Sequence, residues 1–417
     1  MIMKQVIAKV VFVMLASLIG GCASLGKGIT EAILEKQESE DTRLCEIRGH
    51  AFRGLKPHLE QENSKMKVLM VHGVGDHLPG YSTEFFEKLA KELDLTVTAS
   101  KHKNITLTDP EHPEKKLGNL RINRFLNKDH SQELLFYELT WSEITATQKK
   151  VLSYDNSGEY SFRRAEVNDL LKKFSNDTGP DPIIYLGDSR EDILLAFEQS
   201  FCWMTTGSWE DLPDDVHQPC ESQNIESVYR DSYAFVSHSL GSRITIDGMQ
   251  RIASLLGDHQ NSKRHKDLVL ALKNKEIPIY MMSNQLPMLQ LGRKLPEVSN
   301  QEQSYCTPNG DKYAERMLAK TPIIAFSDPN DLLSYAIPHD FVNTYLDSRL
   351  CIRVTNININ VATVFDVFGL GRMANPMDAH IGYDIDDRVV ALIAKGIGND
   401  YTADIVRKRC HWIDTID

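Results

Sequence analysis

The stretch Ala234-Phe235-Val236-Ser237-His238-Ser239-Leu240-Gly241 decides how this chain is read. Ala234 to Val236 form a short buried strand, and a helix opens directly behind it, with Ile244, Ile252, Leu255 and Leu256 on one face of residues 240–256. A serine on so tight a strand-to-helix turn projects its hydroxyl from the sheet edge, and the turn packs so closely that its flanking residues must be small. Gly241 meets that need on one side. On the other, Ser237 stands where the motif G-x-S-x-G has glycine, and serine is small enough for the position. Ser239 is therefore the candidate nucleophile, and the backbone N–H of Leu240 a candidate oxyanion donor.

On either side of this turn the chain alternates strand and helix. Val68-Leu69-Met70-Val71 reads as a buried strand entering the loop His72-Gly73-Val74-Gly75-Asp76, and Ser82 reads as the N-cap of a helix carrying Phe86, Leu89, Ala90 and Leu93. Further strands are expected at 95–99, 134–141, 277–282 and 322–326, with 350–359 as the last long one and a closing helix around 389–393. The pattern predicts an α/β fold, a mostly parallel sheet with helices on both faces. Between about 145 and 228 the alternation loosens into helical and acidic stretches, which reads as an inserted, lid-like segment. Phe197, Phe201, Trp203 and Met204 either line an acyl groove or form the insertion's own core.

These residues together resemble an α/β-hydrolase of the lipase and esterase kind, from His72-Gly73-Val74-Gly75 through Ser237–Gly241 to His380. In that family the loop after an early strand supplies the second oxyanion donor, a role the resemblance assigns to Val74, with Gly73 as the alternative. The family order is serine, acid, histidine. The acid follows a strand such as Pro322–Phe326, where Ser327-Asp328-Pro329-Asn330-Asp331 offers two aspartates. Asp331 is preferred because family acids commonly precede an apolar pair, here Leu332-Leu333; Asp328 ahead of Pro329 reads as a turn or cap residue. The base position falls on His380. His72 reads as a loop residue, His238 as buried or lid-facing, and His339 as the rival that follows the acid too closely to leave room for another strand. The resemblance implies a serine esterase working through an acyl-enzyme. It implies no cofactor, and the sequence carries neither HExxH nor a clustered Cys/His set for a metal.

The first residues address compartment. Lys4 and Lys9, an apolar run from Val10 to Ile19 and then Gly20-Gly21-Cys22 form a signal peptide too short to remain as a membrane-spanning helix. Leu18-Ile19-Gly20-Gly21-Cys22 resembles the bacterial lipobox, which implies cleavage after residue 21, lipidation of Cys22 and a mature chain of 396 of the 417 residues. Ala23 goes with outer-membrane sorting in lipoproteins of this kind, so the expected location is the bacterial cell envelope. Residues 22–64 read as a polar tether and 65–417 as the folded body. With Cys22 committed, six of the seven cysteines remain, an even number suited to disulfides in an oxidising compartment, with Cys202–Cys220 the favoured pair.

The composition is that of an ordinary globular chain, at 25% charged and 41% hydrophobic residues. A formal charge of −11, or −13 once Lys4 and Lys9 are removed, argues against nucleic acid as a partner. Acyl esters, lipids among them, are the expected substrates, and the membrane the expected partner through Cys22. The reading from another class is a non-catalytic envelope lipoprotein that keeps the fold as a binding module.

Overall fold

A computed structural model describes residues 44–62, 64–97, 102–154, 164–220, 224–258, 263–366 and 372–415. The expected signal peptide, Cys22 and Ala23 lie outside them. Twelve strands form the main sheet: β1 Cys45–Gly49, β2 Met66–Val71, β3 Thr96–Val97, β4 Lys103–Thr108, β5 Lys116–Leu126, β6 Glu133–Thr140, β7 Val216–His217, β8 Ser232–His238, β9 Ile279–Met282, β10 Thr321–Ser327, β11 Ile352–Ile359 and β12 Cys410–Thr415. Their spatial order is β12-β1-β11-β10-β9-β8-β2-β6-β5-β4-β7, with β3 beside β5. From β11 to β6 the six adjacent strands run parallel, while β1 lies antiparallel to β11 and β5 to β6. The chain is α/β with a mostly parallel, mixed sheet. All six residues of β2 are buried, as a strand covered on both faces requires.

Alternate residues of β2 serve two cores. Leu69 and Val71 pack with the helices α5 (Ser189–Met204) and α6 (Leu240–Asp258). Met66, Val68 and Met70 pack with α1 (Thr83–Glu92) and α7 (Asp387–Lys395). Between β6 and β8 the chain also forms α2 (Glu143–Ser153), α3 (Glu166–Thr178) and α4 (Pro180–Leu186).

The structure corrects three expectations. The folded body includes chain ahead of residue 65: β1 pairs with β11 and β12, and the 44–62 stretch reads as a tether only because Glu46 and Arg48 of β1 face solvent between buried Cys45, Ile47 and Gly49. The 145–228 segment is not a lid throughout. In α5, Phe197 and Phe201 stack on Phe235 of β8 with ring centroids 5.4 and 5.8 Å away, so this helix is one covering layer of the sheet, and Phe197, Phe201, Trp203 and Met204 are buried core. Ser82 precedes α1 but does not cap it; its hydroxyl donates instead to the buried carboxylate of Glu138.

Three disulfides join Cys45 to Cys410, Cys202 to Cys220 and Cys306 to Cys351. The first ties β1 to β12 across a separation of 365 residues, closing the edge of the sheet with chain from both ends of the fold.

Candidate active site

Parallel strands place all their carboxyl ends at one edge, where loops converge and ligands bind. Here that edge gathers His72–Asp76 after β2, Ser239 after β8, Ser283 after β9, Asp331 after β10 and His380 after β11.

Ser239 occupies the turn between β8 and α6 with φ +53°, a left-handed conformation that costs a non-glycine residue energy and is retained where surrounding structure demands it. Glycines on both sides make the turn possible. A β-carbon on Gly241 would overlap the carbonyl oxygens of Val71 and His72, and one on Gly73 would lie 2.6 Å from Ser239 Cβ and 3.2 Å from Ser239 Oγ. The HGVG loop therefore runs against the serine with only backbone between them. Ser239 Oγ is buried and neither accepts nor donates a hydrogen bond among the described residues. A buried hydroxyl without a partner costs free energy, and such sites are kept where an incoming group supplies the partner.

Asp331 and His380 form a pair, with Nδ1 of the imidazole 3.0 Å from Oδ1 of the carboxylate. The carboxylate also accepts from Ser283 Oγ at 2.7 Å, from the Leu333 N–H at 3.0 Å and from Tyr383 Oη at 3.3 Å. Burial works to raise the Asp331 pKa, but the hydrogen bond and charge of His380 with the Ser283 and Leu333 donors outweigh it and hold the group below the ordinary carboxylate range. With Nδ1–H turned to Asp331, and Ser283 Oγ 3.0 Å from the same nitrogen, the lone pair of His380 is left on Nε2. A short helix, Pro376–Ile381, carries His380, and Asn375 caps it by accepting the Met377 N–H.

Asp328 has a different occupation. Its two oxygens take the N–H groups of Asn330, Val361 and Ala362, at 2.7, 2.6 and 3.0 Å, so it ties together the loops after β10 and β11. His339 is exposed, beside exposed Asp340. Of the two aspartates and two histidines the sequence left in competition, Asp331 and His380 are the two that meet. Ser283 was not singled out from sequence. Like Ser239 it sits in the left-handed region, at φ +51°, and its one sequence signal is its place just past a buried parallel strand.

The other two histidines singled out from sequence, His238 and His72, hold the loops of this edge in place. His238 is half-buried at the end of β8, and its pKa falls to about 3, chiefly through loss of solvation and then the nearby His380. His72 lies face to face with Trp141, ring centroids 4.6 Å apart, and burial holds its pKa well below the ordinary value. Its Nε2 accepts the Trp141 N–H at 3.1 Å, so Nδ1 carries the proton and donates to the Gly73 carbonyl at 2.8 Å. Fixing that carbonyl fixes the Gly73–Val74 peptide, whose N–H points the opposite way. No hydrogen bond among the described residues occupies the Val74 N–H.

Among the described residues no group of three or more His, Cys, Asp or Glu side chains is arranged to hold a metal ion, and no helix is long and apolar enough to cross a membrane. Fold and site together define an α/β chain with a serine, an acid–base pair and a glycine-lined loop at one sheet edge. Comparison with known proteins adds nothing further: no family model matches the chain, and neither a curated protein nor a solved structure matches it.

Proposed function

We propose that this protein is a serine hydrolase of the α/β-hydrolase kind that cleaves carboxylic esters through an acyl-enzyme. The observation that carries this reading is the buried, unpartnered Ser239 hydroxyl, held at positive φ against the Gly73 backbone on the edge that also carries the Asp331–His380 pair. In the reaction Ser239 Oγ attacks the ester carbonyl while His380 Nε2 takes its proton. The N–H groups of Leu240 and Val74 receive the negative oxygen of the tetrahedral intermediate. His380 then returns the proton to the departing alkoxide, leaving acyl-Ser239, and water, deprotonated by the same nitrogen, releases the acid. Asp331 orients the imidazole and stabilises its positive charge, and Ser283 and Tyr383 hold Asp331.

A lipid or other long-chain acyl ester is the substrate class favoured by the apolar rim of this edge. Leu78 beyond the HGVG loop is 81% exposed, Leu291 beyond Ser283 78%, Leu332 beside Asp331 74% and Ile381 beside His380 52%. Four segments that follow the site residues in sequence each present a large apolar side chain to solvent, which suits contact with an apolar surface. Lipidation at Cys22 would hold the enzyme on a membrane of the bacterial envelope, where such esters are at hand. A mass measurement on the mature N-terminus tests that anchor.

Fluorophosphonate labelling of the purified protein tests the chemistry. Wild type is expected to label and Ser239→Ala to remain unlabelled. Labelling that survives in Ser239→Ala, or a wild-type protein that neither labels nor cleaves short- or long-chain p-nitrophenyl esters, overturns the assignment and favours the binding-module reading.

A further inference from the structure

The helices α2 to α4 do something at this edge that a lid would not. Asp181, fully buried in α4, accepts the Gly75 N–H at 2.7 Å. Lys149 of α2, with only 8% of its side chain exposed, reaches the other oxygen of Asp181 at 3.0 Å, Asp76 at 3.0 Å and Asp177 at 3.6 Å. His77 Nε2 lies 3.2 Å from the Val74 carbonyl, and the His77 N–H is held by Ser142 Oγ at 3.2 Å. The Val74–Gly75 peptide is thus held at both ends, its carbonyl by His77 and its N–H by Asp181, while His72 holds the Gly73 carbonyl of the peptide before it. Gly75 has φ +96°, so the turn bends where glycine alone is comfortable and would be the first part of the loop to relax if released. Three carboxylates close to a developing oxyanion would oppose it, and Lys149 is the cation placed among them. Burial works against its charge, but Asp181 and Asp76 outweigh that and hold its pKa above the ordinary value.

We infer that Asp181, held by Lys149, is a positioning residue for the oxyanion loop: it fixes the Val74–Gly75 peptide so that the Val74 N–H is aimed before substrate arrives. This inference rests on the proposed serine hydrolase reading. Asp181 acts through the backbone of Gly75 and touches no substrate. The 141–231 segment then contributes to catalysis by clamping the loop shut, through its buried carboxylate, rather than by opening and closing over the site.

Three variants in the full chain test this, read by steady-state kinetics on a p-nitrophenyl ester and by inhibition with a trifluoromethyl ketone, which forms an oxyanion when Ser239 adds to it. Losing an oxyanion donor outright costs about 10²- to 10³-fold in kcat, so misaiming one by Asp181→Ala should lower kcat by roughly 10- to 100-fold with KM little changed. Affinity for the ketone should fall by the same factor. The double variant Asp181→Asn with Lys149→Gln keeps an acceptor for the Gly75 N–H and leaves no unpaired buried charge, so it should fold and retain kcat within about threefold of wild type. Lys149→Gln alone, which leaves Asp181 as an unpaired buried charge, should lower kcat and ketone affinity together. The inference is overturned if Asp181→Ala keeps wild-type kcat, if only KM changes, or if the double variant loses as much as Asp181→Ala. Should Asp181→Ala not fold, the double variant and Lys149→Gln decide the matter by the same readouts. Ser239→Ala runs beside them: activity surviving there defeats the hydrolase reading itself, whereas activity lost there but intact in Asp181→Ala defeats only the clamp.

Discussion

His238 donates its Nε2–H to the backbone carbonyl of His380 at 2.8 Å, so the residue before Ser239 in the chain holds the short helix that carries the proposed base. The two rings meet edge to face with centroids 5.1 Å apart. Because the His238 side chain projects from the last residue of β8, this hydrogen bond ties the His380 backbone to the strand that leads into Ser239, while Asp331 and Ser283 hold the ring. A direct consequence concerns substitution. His238→Ala should lower kcat by about tenfold, the scale of one net hydrogen bond of roughly 1 kcal/mol or slightly more. His238→Gln, whose amide can donate in the same direction, should recover most of it. Equal losses in both variants, measured as kcat on one ester, would show that the hydrogen bond does not position the base.

Desolvated, neutral histidines also set the acid stability of the fold. The pKa of His238 is about 3 in the folded chain against about 6.5 when unfolded, and His72 is displaced in the same direction. Between those values the unfolded chain binds a proton that the folded chain refuses. Stability therefore falls as pH drops from about 6.5 toward 3, by up to roughly 1.4 kcal/mol per pH unit for each such histidine. Asp331 adds to the loss only below its ordinary range, since its depressed pKa contributes stability that is present above about pH 4 and disappears as the carboxylate protonates. Urea midpoints followed by circular dichroism at pH 7, 6, 5 and 4 should decline steadily in wild type and less steeply in His238→Gln. Identical slopes in the two proteins would refute the assignment of this dependence to His238.

Asp331 and Asp328, three residues apart, should separate cleanly by kind of defect. Asp331→Asn leaves His380 without a carboxylate to fix its tautomer, and a loss on the order of 10⁴-fold in kcat is expected with little change in fold. Asp328→Asn disturbs the acceptor of the Val361 and Ala362 N–H groups, so it should lower stability by about 1–3 kcal/mol while the folded fraction stays active. Activity per folded molecule and the melting midpoint, measured on both, distinguish the two outcomes. A catalytically dead but fully stable Asp328→Asn would reverse the roles.

How much of this was legible in the sequence follows from how local each feature is. The Ser239 turn could be read because strand, serine and helix are contiguous, and the loop at Gly73 because its glycines sit directly behind an apolar run. The pairing of Asp331 with His380 had to be assembled from 49 residues of separation, and sequence alone left Asp328 and His339 in play. Ser283 was missed because nothing distinguishes one serine after a strand from another until the fold brings it to Asp331. The strand at Cys45–Gly49 was missed for a related reason. Its partners lie more than 300 residues away, and its alternating polar residues resemble those of a solvated tether. The role of α5 was hidden by distance too, since only the packing of Phe197 and Phe201 on Phe235 reveals a covering layer.

The disulfides should differ in what their loss does. Cys202–Cys220 closes a separation of 18 residues within the 141–231 segment, whereas Cys45–Cys410 closes one of 365 and joins two neighbouring strands at the sheet edge. In the chain-entropy account a longer closed loop removes more freedom from the unfolded state, about 3 kcal/mol for the shorter and about 6 kcal/mol for the longer. Replacing both cysteines of a pair by alanine avoids a stray thiol. Cys45→Ala with Cys410→Ala should therefore lower the denaturation midpoint more than Cys202→Ala with Cys220→Ala, and should do so without altering kcat at low temperature, because β1 and β12 are separated from β8 by β9, β10 and β11. Guanidinium denaturation of the two double variants under non-reducing conditions, followed by ester turnover in the folded baseline, measures both quantities. If the 45–410 variant is the more stable of the two, loop closure is not what its disulfide contributes.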